Sequence, residues 1–144
     1  MNEPIHFTRQ QIAERIGVMY RTLLEWHGRP GCFHLPRFRE LHKVHGLVLL
    51  NALNAVRQGD GATGVARKLR GIPKRFHCIK QLQRRFRMSR GQIEKHIAEG
   101  MPWYRFSERT HLFVLREVAE WLAGKRRIED AFLKTQKQKG RNHE

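Results

Sequence analysis

Aspartate is nearly absent from this chain of 144 residues and occurs only at Asp60 and Asp130. Without a cluster of carboxylates, nothing can hold the pair of metal ions on which two-metal nucleases depend. Tyrosine is equally scarce, at Tyr20 and Tyr104, and a tyrosine recombinase needs its nucleophile within a set of catalytic arginines and histidines. We therefore expect no catalysis and no cofactor.

Cysteine also occurs only twice, at Cys32 and Cys78. Two cysteines are too few for a disulfide framework, which favours a reducing cytoplasm. With His34 and His77 they could in principle bind zinc, but no Cys-x2-Cys spacing is present, and adjacent residues such as His77 and Cys78 rarely ligate one ion. The sequence predicts no metal site.

Long apolar runs are missing as well. No stretch approaches the roughly 20 apolar residues that a membrane-spanning helix needs, and residues 1–4 lack the basic region and apolar core of a signal peptide. The cations are spread along the chain, whereas a basic amphipathic membrane binder confines them to one helix face. We expect a cytoplasmic protein with no membrane partner.

Positive charge is what the chain has in excess. Lysine and arginine number 29 against 13 acidic residues, which gives a net charge of +16 with histidine neutral. A surface this positive attracts a polyanion, so nucleic acid is the expected partner and a nucleoid-associated location follows. A ribosomal-type basic protein would have the same composition.

One stretch organises the second half of the chain. Ser89 followed by Gln92 is a capping box, which predicts a helix that begins at Arg90. Ile93 and Ile97 would bury one stripe of this helix. The open stripe carries the charged residues Arg90, Glu94 and Lys95.

The neighbours of this helix complete a recognisable order. Upstream, Ile79, Leu82 and Phe86 predict a short helix, and the tight turn between the two helices is typical of a helix-turn-helix. Downstream, residues 103–106 and 111–114 read as two strands of a hairpin. A third helix follows and is expected to end at Gly124. Helix, helix, hairpin, helix is the order of a winged helix.

Residues 79–122 resemble the MerR-like and excisionase-like family of winged helix-turn-helix DNA-binding proteins. The resemblance rests on Phe86-x-Met88-Ser89-Arg90, on Ile93-x3-Ile97-x2-Gly100-Met101-Pro102, on Arg109 in the wing and on Glu117-Val118-Ala119-Glu120-Trp121-Leu122. It implies that the second helix enters the major groove of DNA, where an arginine in its first turn can reach guanine. The wing would meet the minor groove or the backbone through Arg105, Arg109 and His111.

The first half repeats this order in outline. Thr8 and Gln11 form another capping box, and Gly17 suits the turn after a short helix. A second helix would be anchored by Leu23 and Trp26, with its open face at Tyr20, Arg21 and Thr22. Residues 32–35 read as the first strand of a hairpin whose wing carries Arg37 and Arg39, and residues 41–56 read as a long apolar helix.

Equivalent positions in the two halves are 70 residues apart, as Ile12 is from Leu82 and Leu23 from Ile93. This spacing suggests an internal duplication. The expected fold class is therefore mainly α, with tandem winged helix-turn-helix units and short β-hairpin wings. The predicted division is an N-terminal unit 5–58, a basic glycine-rich linker 59–76, a C-terminal unit 77–124 and a basic helix and tail 125–144.

The glycines of the linker do not form a phosphate-binding loop, because no Gly-Lys-Ser/Thr ending opens a helix there. Its cations are expected to touch phosphates between the two halves, and they are Arg67, Lys68 and Arg70. In the C-terminal segment, an amphipathic helix over 128–133 could pack on the body or mediate a homodimer.

The leading hypothesis is a sequence-specific binder of double-stranded DNA, acting as a transcriptional regulator or as a recombination directionality or architectural factor of a mobile element. Its protein partner would be a recombinase or RNA polymerase. A first alternative is a packaging adaptor of the small-terminase kind, or a replication adaptor, that binds DNA and recruits an ATPase. A second is an RNA-binding module that stacks bases on Trp103, Tyr104 and Phe106.

Overall fold

The structure is a computed structural model that describes residues 5–38, 42–59 and 69–141. This part of the chain is mainly helical and carries two small antiparallel sheets. In chain order the elements are β1 (His6–Thr8), α1 (Arg9–Ile16), α2 (Tyr20–Trp26), β2 (Lys43–His45), α3 (Gly46–Val56), β3 (Arg57–Gln58), α4 (Ile79–Phe86), α5 (Arg90–Ala98), β4 (Trp103–Arg105), β5 (His111–Leu112) and α6 (Leu115–Arg141).

The predicted start of α5 is confirmed. The Gln92 backbone N–H donates to the Ser89 hydroxyl at 3.1 Å, and the Ser89 N–H donates to the Gln92 side-chain oxygen at 2.9 Å. The same reciprocal pair joins Thr8 and Gln11 at the start of α1, at 3.1 and 2.8 Å. Both capping boxes satisfy backbone donors that a helix start would otherwise leave without partners.

The C-terminal hairpin forms where the sequence predicts it, with shorter strands. The strands β4 and β5 pair antiparallel, with Tyr104 opposite Leu112. The next residue, Phe113, leaves this ladder and forms a bridge with His77, each donating an N–H to the other's carbonyl at 2.8 Å. Before the hairpin, Gly100 takes a φ of 109°, which lets the chain reverse after α5.

The two halves share local structure at an offset of 70 residues. That offset separates the starts of α1 and α4 (Arg9 and Ile79) and the starts of α2 and α5 (Tyr20 and Arg90). The first helix of each half ends at a residue with left-handed backbone, which is Gly17 in the first half and Arg87 in the second. The β1–β2 ladder before α1 and α3 likewise corresponds to the bridge before α4 and α6. These matches support the internal duplication.

The predicted N-terminal wing strand over residues 32–35 is wrong. The chain there forms neither helix nor strand. It is held in place by the side chains of Phe33 and Leu35, which are fully buried. The Phe33 N–H donates to the carbonyl of Phe106 at 2.8 Å, so the segment binds the second half of the protein. The strand pairing of the first half comes instead from β1 and β2, with Phe7 opposite Val44.

The long apolar helix of the first half is also shorter than predicted. It begins at Gly46, because Val44 belongs to β2 and the His45 ring caps the helix by accepting the Leu47 N–H at 3.1 Å. Burial is confined to one face, through Leu49, Ala52 and Leu53. Leu47, although apolar, is 65% exposed.

Gly124 does not end the last helix. The single helix α6 continues through Gly124 to Arg141, and the helix predicted at 128–133 is its continuation. Packing explains the first half of α6, where Val118 and Trp121 are buried against α5. Beyond that, the exposed side chains of Ile128 and Phe132 show that the helix leaves the body of the protein.

The two halves share one hydrophobic core. The strand β3, at the end of α3, pairs with β4 of the C-terminal hairpin. Phe76, Tyr104 and Phe106 lie in the same buried cluster as Leu23 and Trp26 of the first half. A second cluster supports α5 and consists of Leu82, Ile93, Met101, Phe113, Val118 and Trp121. The boundaries of the four predicted segments stay a prediction, but the halves contact each other directly.

Candidate nucleic-acid interface

The charged stripe of α5 faces outward, as expected. Arg90 and Glu94 expose 73% and 62% of their side chains, and Lys95 is also exposed. The guanidinium of Arg90 lies 3.3 Å from the Glu94 carboxylate, one helical turn away. Such exposed ion pairs contribute about 0–1 kcal/mol. Arg90 can therefore exchange this partner for a phosphate or a base edge at little cost.

The opposite stripe of α5 fixes the helix in place. Ile93 is fully buried against Leu82, Met101 and Phe113, and Ile97 packs on the same cluster. A helix held in this way presents its charged side chains from a rigid support. Gly91, on the exposed side, has open space around it, so the backbone of the first turn is accessible.

The C-terminal hairpin adds further cations to the surface. Arg105, Arg109 and His111 are all exposed, and the His111 ring lies 4.7 Å from that of Trp103. Tyr104 is different from its neighbours, since it is fully buried. The hairpin therefore has charge on its surface and keeps the rings of Tyr104 and Phe106 inside.

The corresponding helix of the first half, α2, is less basic. Arg21 is exposed, whereas Tyr20 and Thr22 are half-buried. The Tyr20 hydroxyl accepts a hydrogen bond from Arg9 at 3.1 Å. The N-terminus of α2 has no side-chain cap, because Met19 stands where α5 has its serine. This half contributes fewer groups that could contact DNA.

The remaining predicted contacts are scattered. Arg37 is exposed and has a φ of 55°, and Arg70 is exposed beside Leu69. The Asn54 side chain holds Leu69 through two hydrogen bonds of 2.7 and 3.2 Å. Three predicted residues lie outside the described part of the chain, namely Arg39, Arg67 and Lys68.

Sequence reasoning left three exposed arginines out of the site. Arg84 and Arg85 lie on the last turn of α4, and Arg87 follows at its C-terminal cap. In the helix-turn-helix that the resemblance implies, the first helix crosses the DNA backbone, so these cations are candidates for phosphate contacts. The Arg-Arg-x-Arg run over residues 84–87 is the sequence signal that could have identified these cations.

A polar cluster ties the wing to both halves of the protein. The buried Tyr104 hydroxyl donates to one Glu117 oxygen at 2.5 Å, and Arg57 donates to the other oxygen at 3.0 and 2.8 Å. Burial, and after it the Glu117 carboxylate, raise the pKa of Tyr104 above its ordinary value. Tyr104 therefore remains a neutral donor and holds β4 against α6.

A second polar cluster lies where α5 meets α6. The Lys125 ammonium pairs with Glu99 and lies 3.4 Å from Nδ1 of His96. The hydrogen bond from Lys125 lowers the pKa of Glu99. Burial and the nearby Lys125 charge lower the pKa of His96, and burial and Arg75 lower that of His77. Both environments therefore disfavour the protonated form of the ring.

The described residues contain no group of histidine, cysteine or acidic side chains able to hold a metal ion, and both cysteines are free thiols. Within the same residues, no helix combines the length and apolar character needed to cross a membrane. No protein-family profile, curated protein or solved structure matches the chain.

Proposed function

We propose that this protein is a sequence-specific binder of double-stranded DNA, built from winged helix-turn-helix units of the MerR-like and excisionase-like kind. The observation that carries the proposal is α5, which begins at a capping box, is anchored by Ile93 and turns Arg90 and Lys95 to solvent. A helix of this shape fits the major groove, and an arginine in its first turn can reach guanine O6 and N7.

The other cations support the same arrangement. Arg105, Arg109 and His111 on the hairpin are exposed, and in this proposal they contact the minor groove or the backbone beside the groove that α5 enters. A net charge of +16 supplies the general attraction to phosphates. The protein would act as a transcriptional regulator, or as a recombination directionality or architectural factor, of a mobile element, together with RNA polymerase or a recombinase.

A DNA-binding adaptor for packaging or replication is the second candidate. The distal part of α6 favours it, because Ile128, Phe132 and Leu133 are exposed on a helix that extends beyond the core. Such a surface is suited to a protein partner. Deleting residues 128–141 would then abolish recruitment of the partner ATPase and spare DNA binding.

The RNA-binding alternative has less support. Of the three aromatic residues that could stack on bases, Tyr104 and Phe106 are fully buried and Trp103 is partly covered by His111. Stacking platforms need exposed rings. A direct competition tests both readings, with labelled duplex DNA displaced by unlabelled duplex or by single-stranded RNA of equal length. We expect the duplex to compete at least about tenfold better, and the opposite order would overturn the proposal.

A further inference from the structure

An apolar pocket lies on the side of the protein where α4, α5 and α6 meet. It has a volume of about 350 Å³, and Phe86, Met88 and Leu122 form its apolar lining. The remaining lining residues are His96, Lys125, Arg126 and Glu129. An apolar cavity of about 150 Å³ is enough to bind a benzene ring. This pocket therefore has room for a large apolar side chain.

The apolar surface continues along α6 beyond the pocket. Leu133 lies one helical turn past Glu129 and on the same side of the helix, about 6 Å farther along the axis. Phe132 flanks it, and both side chains are exposed, Leu133 by 54%. The pocket and these two residues lie along one side of α6, and we call this surface the α6 groove.

Of the charged residues that line the pocket, Lys125 and Arg126 are basic and Glu129 is acidic. Arg126 is exposed on its rim, and the exposed residues Arg85 and Arg87 adjoin Phe86 in sequence. Lys125 is already paired with Glu99, and Glu129 is the acidic residue of the lining. An apolar floor with a cationic rim matches a partner that carries apolar anchors among acidic side chains.

We propose that the α6 groove binds an acidic amphipathic helix of another protein. A leucine or aromatic residue of that helix fills the pocket, a second anchor packs on Leu133, and its acidic residues lie against Arg126 and its neighbours. Charge complementarity excludes a second copy as the preferred occupant, because two chains of net charge +16 repel each other. Nucleic acid is disfavoured because phosphates gain nothing from an apolar floor. The groove does not depend on the DNA-binding proposal.

The test uses the full chain and a fluorescein-labelled helical peptide of about 18 residues, long enough to hold a helix. The peptide carries leucine or phenylalanine at every third or fourth position and glutamate elsewhere. Binding is followed by fluorescence anisotropy. A charge-reversed peptide, with lysine at each glutamate, is the matched probe and should not bind.

Two substitutions on α6 give a matched comparison. Leu133 and Ile128 are equally exposed, at 54% each, but Ile128 points about 100° away from Glu129 around the helix. We expect Leu133→Ser to weaken peptide binding about tenfold and Ile128→Ser to change it less than about twofold. Arg126→Glu should weaken binding to the acidic peptide.

Three outcomes would overturn the proposal. The first is an equal loss of peptide affinity in the two serine variants. The second is equal binding of both peptides by the parent protein. The third is a homodimer, detected by sedimentation, that Leu133→Ser dissociates. Duplex DNA binding by Leu133→Ser should match the parent. If the parent protein does not bind duplex DNA, the proposed function is refuted but the peptide-binding proposal is not. The two failures are therefore distinguishable.

Discussion

The guanidinium of Arg57 donates two hydrogen bonds to one carboxylate oxygen of Glu117, across a separation of 60 residues in the chain. The two side chains are only 9% and 16% exposed. The other Glu117 oxygen accepts the Tyr104 hydroxyl. This contact joins the end of α3 to α6 and to the wing, so it fixes the first half of the protein against the second.

Removing Arg57 should therefore destabilise the whole protein. Arg57→Ala leaves a largely buried carboxylate with one partner, and we expect a loss of about 2–4 kcal/mol in the free energy of unfolding. Urea denaturation measures it. Arg116→Ala is the control, since it breaks the exposed pair with Glu120 and should cost less than about 1 kcal/mol. Equal losses in the free energy of unfolding would show that the Arg57 contact contributes no more than an exposed ion pair.

The equivalent turns of the two halves predict a reciprocal pair of substitutions. Arg87 has a φ of 52°, in the left-handed region, where Gly17 stands in the first half with a φ of 86°. Because a side chain is strained there, Arg87→Gly should stabilise the fold by about 0.5–1 kcal/mol and Gly17→Ala should destabilise it by about 1 kcal/mol. A Cβ at Gly17 would meet only the Phe76 carbonyl at 3.9 Å, so crowding would not explain that loss.

Thermal or urea unfolding of the two variants gives the result. The prediction fails if both changes shift the stability in the same direction. Arg84→Gly, within the last turn of α4, is the control for the chemical change from arginine to glycine. It should destabilise the protein by about 1 kcal/mol, because glycine disfavours a helix interior.

The lowered pKa of His96 predicts a loss of stability in mild acid. Burial and the Lys125 charge place the folded-state pKa below the ordinary value of 6.5. Below pH 6.5 the unfolded chain binds a proton at this site more readily than the folded protein does, so the free energy of unfolding falls as the pH drops toward the folded-state pKa. His77, whose pKa is also lowered, acts in the same direction.

Unfolding by urea at a series of pH values from 8 to about 5 measures this dependence. His96→Gln should make the curve flatter below pH 6.5, because it removes one of the groups that gain a proton on unfolding. Asn51→Gln, at an exposed position without a titratable group, should leave the shape of the curve unchanged. A stability that increases on acidification in the parent protein would contradict this assignment.

The arginines of α4 should act on DNA affinity without affecting sequence preference. Arg84→Ala combined with Arg85→Ala should lower the salt dependence of duplex binding by about 0.9 per lost phosphate contact, in the logarithmic slope. Specific and random duplexes should be affected alike, since phosphates carry no sequence information. Titrations at several salt concentrations measure the slope. An unchanged slope would place these arginines away from the DNA.

Sequence patterns that rely on neighbouring residues predicted the structure well. The capping boxes at Thr8 and Ser89, the turn at Gly17 and the buried position of Ile93 all depend on contacts within a few residues. Such contacts form with the same geometry wherever the motif occurs. The exposed side of α5 could therefore be predicted from the spacing of its apolar residues alone.

Contacts between distant residues were not predicted. The pairing of β1 with β2 joins Phe7 to Val44, and no local pattern specifies that partner. The strand expected at 32–35 failed for the same reason, because Phe33 is held by Phe106 of the other half. Alternation of apolar residues shows which side chains are buried and does not show where their backbone finds hydrogen bonds.

The helix end expected at Gly124 failed for an energetic reason. A glycine inside a helix costs about 1 kcal/mol, which is small against the burial of Val118 and Trp121 in the preceding turns. The helix therefore continues. In the candidate site, the position of Arg90 and the exposure of the wing cations were predictable, whereas base contacts stay a prediction, since they depend on DNA.

The proposed function requires α5 to read the sequence of duplex DNA. The direct measurement is a binding selection from a random duplex library, followed by titration of the enriched duplex and of an unselected one. Arg90→Ala with Lys95→Ala should weaken binding to the enriched duplex about tenfold to a hundredfold and binding to the unselected duplex much less. The control is Arg116→Ala with Arg127→Ala, which removes the same charge from α6. Equal losses of affinity for both duplexes, or no enriched sequence at all, would show that α5 does not read the DNA sequence.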